Sequence, residues 1–69
     1  MNEIERLAAM IEADESNVGV LSCGETIAAA LLFNRMDWLP LAYRHPLDAI
    51  DRLGPNWLQM VMDYHRNHS

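Results

Sequence analysis

Apolar residues recur along this chain at helical spacing, and polar clusters divide them into short segments. Ile4, Leu7, Ala8 and Ile11 follow the i, i+3, i+4, i+7 pattern, which predicts an amphipathic first helix that buries one stripe. Asn2 is placed to cap it with Glu5 three residues on, and Glu3 and Glu5 suit the positive end of a helix. This helix should end near Asp14, where Asp-Glu-Ser-Asn opens a turn. The connector Val18-Gly19-Val20-Leu21 is too brief, and has no partner strand elsewhere, to argue for a sheet.

The pattern changes at residues 22–33. Ser22 and Glu25 have the S-x-x-E spacing of a capping box, in which a hydroxyl and a carboxylate satisfy orphan backbone N–H groups. No charged residue interrupts positions 26–33. A helix that is apolar on every face cannot lie on a wet surface, so the rest of the chain or a partner must wrap it. It runs to about Asn34, which suits a left-handed C-terminal position.

Beyond it, Asp37 is placed to cap a short helix through Trp38, Leu39 and Leu41, with Pro40 tolerated in the first turn. Pro46 then starts another segment, with Asp48 near its positive end, Asp48 and Arg52 at i, i+4 spacing, and Leu47, Ile50 and Leu53 as its inward stripe. Gly54-Pro55 stops that segment and starts the last, Asn56 to about Arg66, which presents Trp57, Val61 and Tyr64 on one face. Met60 and Met62 cannot both face inward with Val61, because adjacent helical positions lie ~100° apart. The expectation is an all-α fold, a compact single-domain bundle of four to five short helices around a central apolar helix at about 23–34. That domain spans residues 1–69, with the last few frayed.

Sixty-nine residues leave room for one domain, and a chain this small buries only ~60% of the surface it exposes when unfolded. A single cysteine forms no internal disulfide, and no paired Cys/His spacing of a structural zinc site is present. Stability must come from core quality or self-association, which the 51% apolar composition supports. Met1-Asn-Glu-Ile-Glu lacks the basic and apolar regions of a signal peptide, and no apolar run has the length of a membrane span. With its lone thiol, the chain reads as cytosolic.

Charge narrows the partners. Ten acids oppose five arginines and no lysine, for a net charge of -5, and Glu3, Glu5, Glu12, Asp14 and Glu15 crowd the first fifteen residues. No cationic stripe is available to displace phosphate counterions, which argues against direct nucleic-acid binding. An acidic surface favours a basic partner, and it also keeps a small apolar domain in solution.

Candidate chemistry is sparse. Cys23 falls in the first turn of the central helix, where free N–H groups favour a thiolate, but no base accompanies it and an inert packed thiol is the expected role. His65 and His68 stand three apart on the last segment; a catalytic zinc needs a third protein ligand. His45 precedes Pro46 as a turn residue, and Asp48 and Asp51 have ordinary surface spacing. No phosphate loop, nucleophile triad or nucleotide fingerprint occurs. The chain is expected to be no enzyme and to need no cofactor and no metal.

Surface recognition remains. Trp38, Tyr43, Trp57, Tyr64 and the methionines exceed what one stripe per helix buries, and exposed aromatic and Met residues anchor interfaces. Glu12, Asp14, Glu15, Trp38, Tyr43 and Met60 are the candidate binding residues. In size and in the acid excess of Glu3, Glu5, Glu12, Asp14 and Glu15, the chain resembles the small acidic inhibitors encoded by bacteriophages, including anti-CRISPR proteins. The resemblance implies stoichiometric blocking of a basic surface in a bacterial nucleic-acid-binding complex. A homodimeric adaptor or accessory subunit is the competing expectation. A DNA-binding regulator ranks last, because Arg35, Arg44 and Arg52 lie on different segments with acids between them.

Overall fold

Ile4, Leu7, Ala8 and Ile11 are all buried along one face of the first helix, α1 (Glu3–Ala13), as their period requires. The computed structural model describes residues 3–68, so the expected Asn2 cap lies outside the described residues. Asp14 turns extended after α1, and its carboxylate accepts from the Ser16 N–H at 3.0 Å to start a 3-10 helix at Glu15–Val20. The Asn17 amide reaches back to the Met10 carbonyl at 2.8 Å, satisfying one of the acceptors that every helix end leaves open.

The capping box forms in both directions at the start of α2 (Cys23–Leu32). The Glu25 N–H donates to the Ser22 hydroxyl at 3.3 Å, and the Ser22 N–H donates to the Glu25 carboxylate at 3.0 Å. At the other end Asn34 takes φ 56°, and the Arg35 N–H bonds to the Ala30 carbonyl at 2.8 Å. This is the six-to-one closure of a Schellman turn. It reverses the chain immediately after an apolar helix and brings Arg35 back towards α1.

Helix α2 is the hub. It packs against α1, α3 (Pro46–Leu53), α4 (Pro55–His68) and the turn at Met36–Trp38. Ile27, Ala28, Ala29 and Ala30 are fully buried. Four consecutive positions sweep most of a helical turn, so this part is enclosed on nearly every side, and alanine lets the neighbouring helices come close. The described residues contain helices and turns without a strand, and the domain is all-α, with extents of 29 × 25 × 18 Å.

Two expectations for the second half are corrected. Asp37 caps no helix: the segment forms two separate 3-10 turns, Met36–Trp38 and Leu41–Tyr43. Pro40 is the cause, since its ring disfavours helical backbone at the preceding residue, and Leu39 is extended at φ -61°, ψ 135°. The stripe of α3 is Ala49 and Leu53, with Ile50 half-buried and Leu47 69% exposed. A strict i, i+3, i+6 series drifts ~60° per step, which leaves Leu47 about 120° from Leu53.

His45 begins α3 as its N-cap, its ring nitrogen accepting from the Leu47 N–H at 3.2 Å. Gly54 separates α3 from α4 at φ 87°, ψ 162°, a conformation open essentially to glycine alone. Its N–H closes α3 and its carbonyl accepts from Leu58 in α4, so one residue ends one helix and starts the next. Helix α4 continues to His68. The His68 ring stacks on Tyr64 at 3.9 Å between centroids, with Nδ1 3.0 Å from the Tyr64 carbonyl.

Candidate functional site

The Schellman turn at Asn34 determines the site, because it sets Arg35 opposite the segment that follows α1. Arg35 is held from two sides, by the Glu15 carboxylate and by Asp37 at 3.1 Å. Its guanidinium lies 4.8 Å above the Trp38 ring, a cation–π distance. Trp38 in turn meets Phe33, with 6.2 Å between ring centroids and planes tilted by 59°. The hydrogen bonds to Asp37 and then Glu15 raise the Arg35 pKa, and the Arg35 guanidinium holds the Asp37 carboxyl below its ordinary range.

Glu15, Phe33, Arg35 and Trp38 line an open depression of about 260 Å³ with Ile11 and Glu12. Glu12 and Phe33 also line a neighbouring depression of about 370 Å³, with Leu32, Tyr64, His65 and His68. Leu32 and His65 continue into a third, about 260 Å³, walled by Leu31, Ile50, Leu58 and Met62. The three adjoin around the C-terminal turn of α2 as a divided trough, with Glu12 and Phe33 between the first pair and Leu32 and His65 between the second. Burial raises the Tyr64 pKa, and the negative charges of Glu12 and Glu5 add to it.

The trough answers the question posed by an apolar helix in so short a chain. The chain wraps Ile27, Ala28, Ala29 and Ala30, but Leu31, Leu32 and Phe33 are only half-buried. The last turn of α2 therefore presents apolar surface at the bottom of a groove with an acidic end.

Of the candidate residues, the fold brings Glu12, Glu15 and Trp38 together in one depression. Asp14 stands beside them, but its carboxylate serves the Ser16 N–H, which lowers its pKa. Met60 and Tyr43 line none of these three depressions and are half-buried against the core; Met60 borders a smaller one with Ile4 and Glu5, which adjoins the 370 Å³ depression at Tyr64 and His68. The large apolar residues most open to solvent are Val20, Leu41, Leu47 and Met62, while Trp38, Tyr43, Trp57 and Tyr64 pack on the core.

Phe33 and Arg35 are site residues that sequence reasoning missed, although Asn34 carried the signal. A left-handed residue after an apolar helix predicts a Schellman turn, and that turn places its two flanking residues at the bundle's edge.

Cys23 is half-buried at the start of α2 and packs against the core, the environment of a structural thiol. The described residues hold no group of three or more His, Cys, Asp or Glu that could bind a metal ion. No helix among them is long and apolar enough to cross a membrane. Compared with known protein families, curated proteins and solved structures, the chain has no match.

Proposed function

We propose that this chain is a protein-binding module that acts stoichiometrically and without catalysis. Most concretely, it is a phage-type inhibitor that occupies a basic surface of a bacterial nucleic-acid-binding complex in the cytoplasm. The observation that carries this reading is the trough: apolar Leu31, Leu32 and Phe33, left half-covered by their own chain, continue into an end lined by Glu12, Glu15 and Trp38. Apolar floor gives a partner something to bury, and the acids select and orient a cationic one. A net charge of -5 without lysine supports the same sign of partner. The resemblance in size and acidity to phage-encoded inhibitors, anti-CRISPR proteins among them, supplies the biological setting of the proposal.

The test is retention of bacterial proteins on immobilised protein, wild type against Glu12→Lys. Glu12 is the clean position, because Glu15 holds Arg35 and Asp14 caps a turn, whereas Glu12 is exposed on α1. The expected result is a discrete basic protein retained by the wild type and lost from the variant. Retention of the same proteins by both would exclude the acidic end as the recognition surface.

A further inference from the structure

Resting on the binding-module reading, we propose that the trough receives an amphipathic α-helix of the partner, its apolar stripe on Leu31, Leu58 and Met62 and its cationic end against Glu12 and Glu15. Three observations lead there. The depressions adjoin, with Glu12 and Phe33 between the first pair and Leu32 and His65 between the second, so a ligand lying over the C-terminal turn of α2 meets more than one of them. The two ends differ in character. Towards Ile50 the walls are mainly apolar, Met62 is 49% exposed, and the carboxylate of the neighbouring Asp63 is engaged by Arg66 at 2.7 Å. Towards Trp38 the depression is lined by two carboxylates, Glu12 and Glu15, and one guanidinium, Arg35, which is paired with Glu15 and with Asp37 beside it, leaving negative charge at Glu12 for a lysine or arginine to meet.

Backbone chemistry selects a helix over an extended peptide. An extended ligand gains its main-chain hydrogen bonds by joining a sheet edge, and the described residues form no strand. A helix satisfies its own N–H and C=O groups and needs only a groove for its side chains. About fourteen residues of helix, ~21 Å, fit within the 29 × 25 Å face of the domain. A second copy of the chain is the poorer occupant. Each copy carries a charge of -5, and two of its five arginines, Arg35 and Arg66, are already paired with its own acids.

The experiment uses the full 15N-labelled chain and two synthetic helical peptides of about fourteen residues. Both carry leucines at i, i+3, i+4 and i+7; one ends in two arginines, the other in two glutamates. Shifts of the indole N–H signals are followed on titration. Trp38 reports on the trough, and Trp57, which lines none of its three depressions, is the internal control. The expected result is a shift of the Trp38 signal with the arginine-ended peptide and binding about tenfold or more weaker with the glutamate-ended one. Met62→Asp should weaken the arginine-ended peptide by a similar factor, whereas Leu47→Asp, at a more exposed apolar position outside the trough, should leave it unchanged. Both variants should keep the far-UV circular dichroism of the wild type.

Equal affinity for the two peptides, shifts confined to Trp57, or full binding by Met62→Asp would overturn the proposal. So would a wild-type dimer that Met62→Asp dissociates, since a second copy would then fill the groove. If the peptides fail while capture of the bacterial partner still depends on Glu12, the helix inference falls alone. If capture is also indifferent to Glu12→Lys, the binding-module reading falls with it.

Discussion

Ile27 is one of the two largest side chains buried completely in this domain, and truncating it is the sharpest test of α2 as the hub. Ile27→Ala removes three carbons, about 2.4 kcal/mol of transfer free energy at ~0.8 kcal/mol per group. The cavity left behind adds to that loss, giving roughly 2–5 kcal/mol. Collapse cannot relieve much of it. The next three positions on α2 are the fully buried alanines Ala28, Ala29 and Ala30, which have no side chain long enough to move into the void. A 69-residue domain has a total stability of about 3–10 kcal/mol, so this one change removes a large part of it. A loss of 3 kcal/mol corresponds to roughly 12–24 °C in Tm for a domain of this size. Urea unfolding followed by circular dichroism is the assay, with the expectation of a lower midpoint at unchanged slope. Leu47→Ala is the paired control: the same class of side chain, 69% exposed, should cost no more than about 0.5 kcal/mol. An Ile27→Ala loss below about 1 kcal/mol, or a Leu47→Ala loss as large as it, would refute both the central helix and the assigned face of α3.

Other substitutions test the ends of the helices and the thiol. Gly54→Ala should cost about 1–3 kcal/mol through backbone conformation alone, because nothing lies within 4 Å of where the new Cβ would stand; thermal unfolding measures it. Ser22→Ala should remove one arm of the capping box for about 0.5–2 kcal/mol and return the Glu25 pKa towards its ordinary value, read by NMR titration of the carboxyl. The backbone and side-chain bonds from Ser22 depress the Glu25 pKa in the folded protein. Its contribution is therefore complete above the ordinary glutamate pKa and is lost as pH falls through the depressed folded value; Ser22→Ala keeps the backbone N–H, the larger cause, and should reduce that contribution without abolishing it. Cys23→Ser should bind its partner like the wild type, and loss of binding by the folded variant would give the thiol a chemical role.

The fold was legible wherever a local pattern coincided with a cap. The stripe of α1, the reciprocal Ser22–Glu25 box and the Gly54-Pro55 break each join periodicity to a stop or start signal, and all three appear as the spacing implies. Legibility failed where proline and short segments prevail. Pro40 fits a helical first turn in isolation, but its constraint on Leu39 splits the segment in two. In α3, eight residues long, two phases of the stripe both placed Ile50 and Leu53 inward, and only tertiary packing selected Ala49 over Leu47.

The site was half legible for a similar reason. Glu12 and Glu15 stand out by charge and Trp38 by size, yet whether they meet depends on the turn at Asn34 and on Arg35, which no count of acids reveals. Tyr43 and Met60 were named by residue type alone, and the fold sets both half-buried against the core.

If a basic partner is recognised through the acidic end of the trough, its association must depend on salt. The association rate of the captured basic partner should be measured over a series of salt concentrations for the wild type and Glu12→Lys. Charge sets encounter and orientation, whereas buried apolar contacts set how long the complex lasts. The account predicts slower association of the variant at low salt, a flatter salt dependence, and convergence of the two rates at high salt, where screening removes the difference. Identical association rates for both proteins at every salt concentration would contradict it.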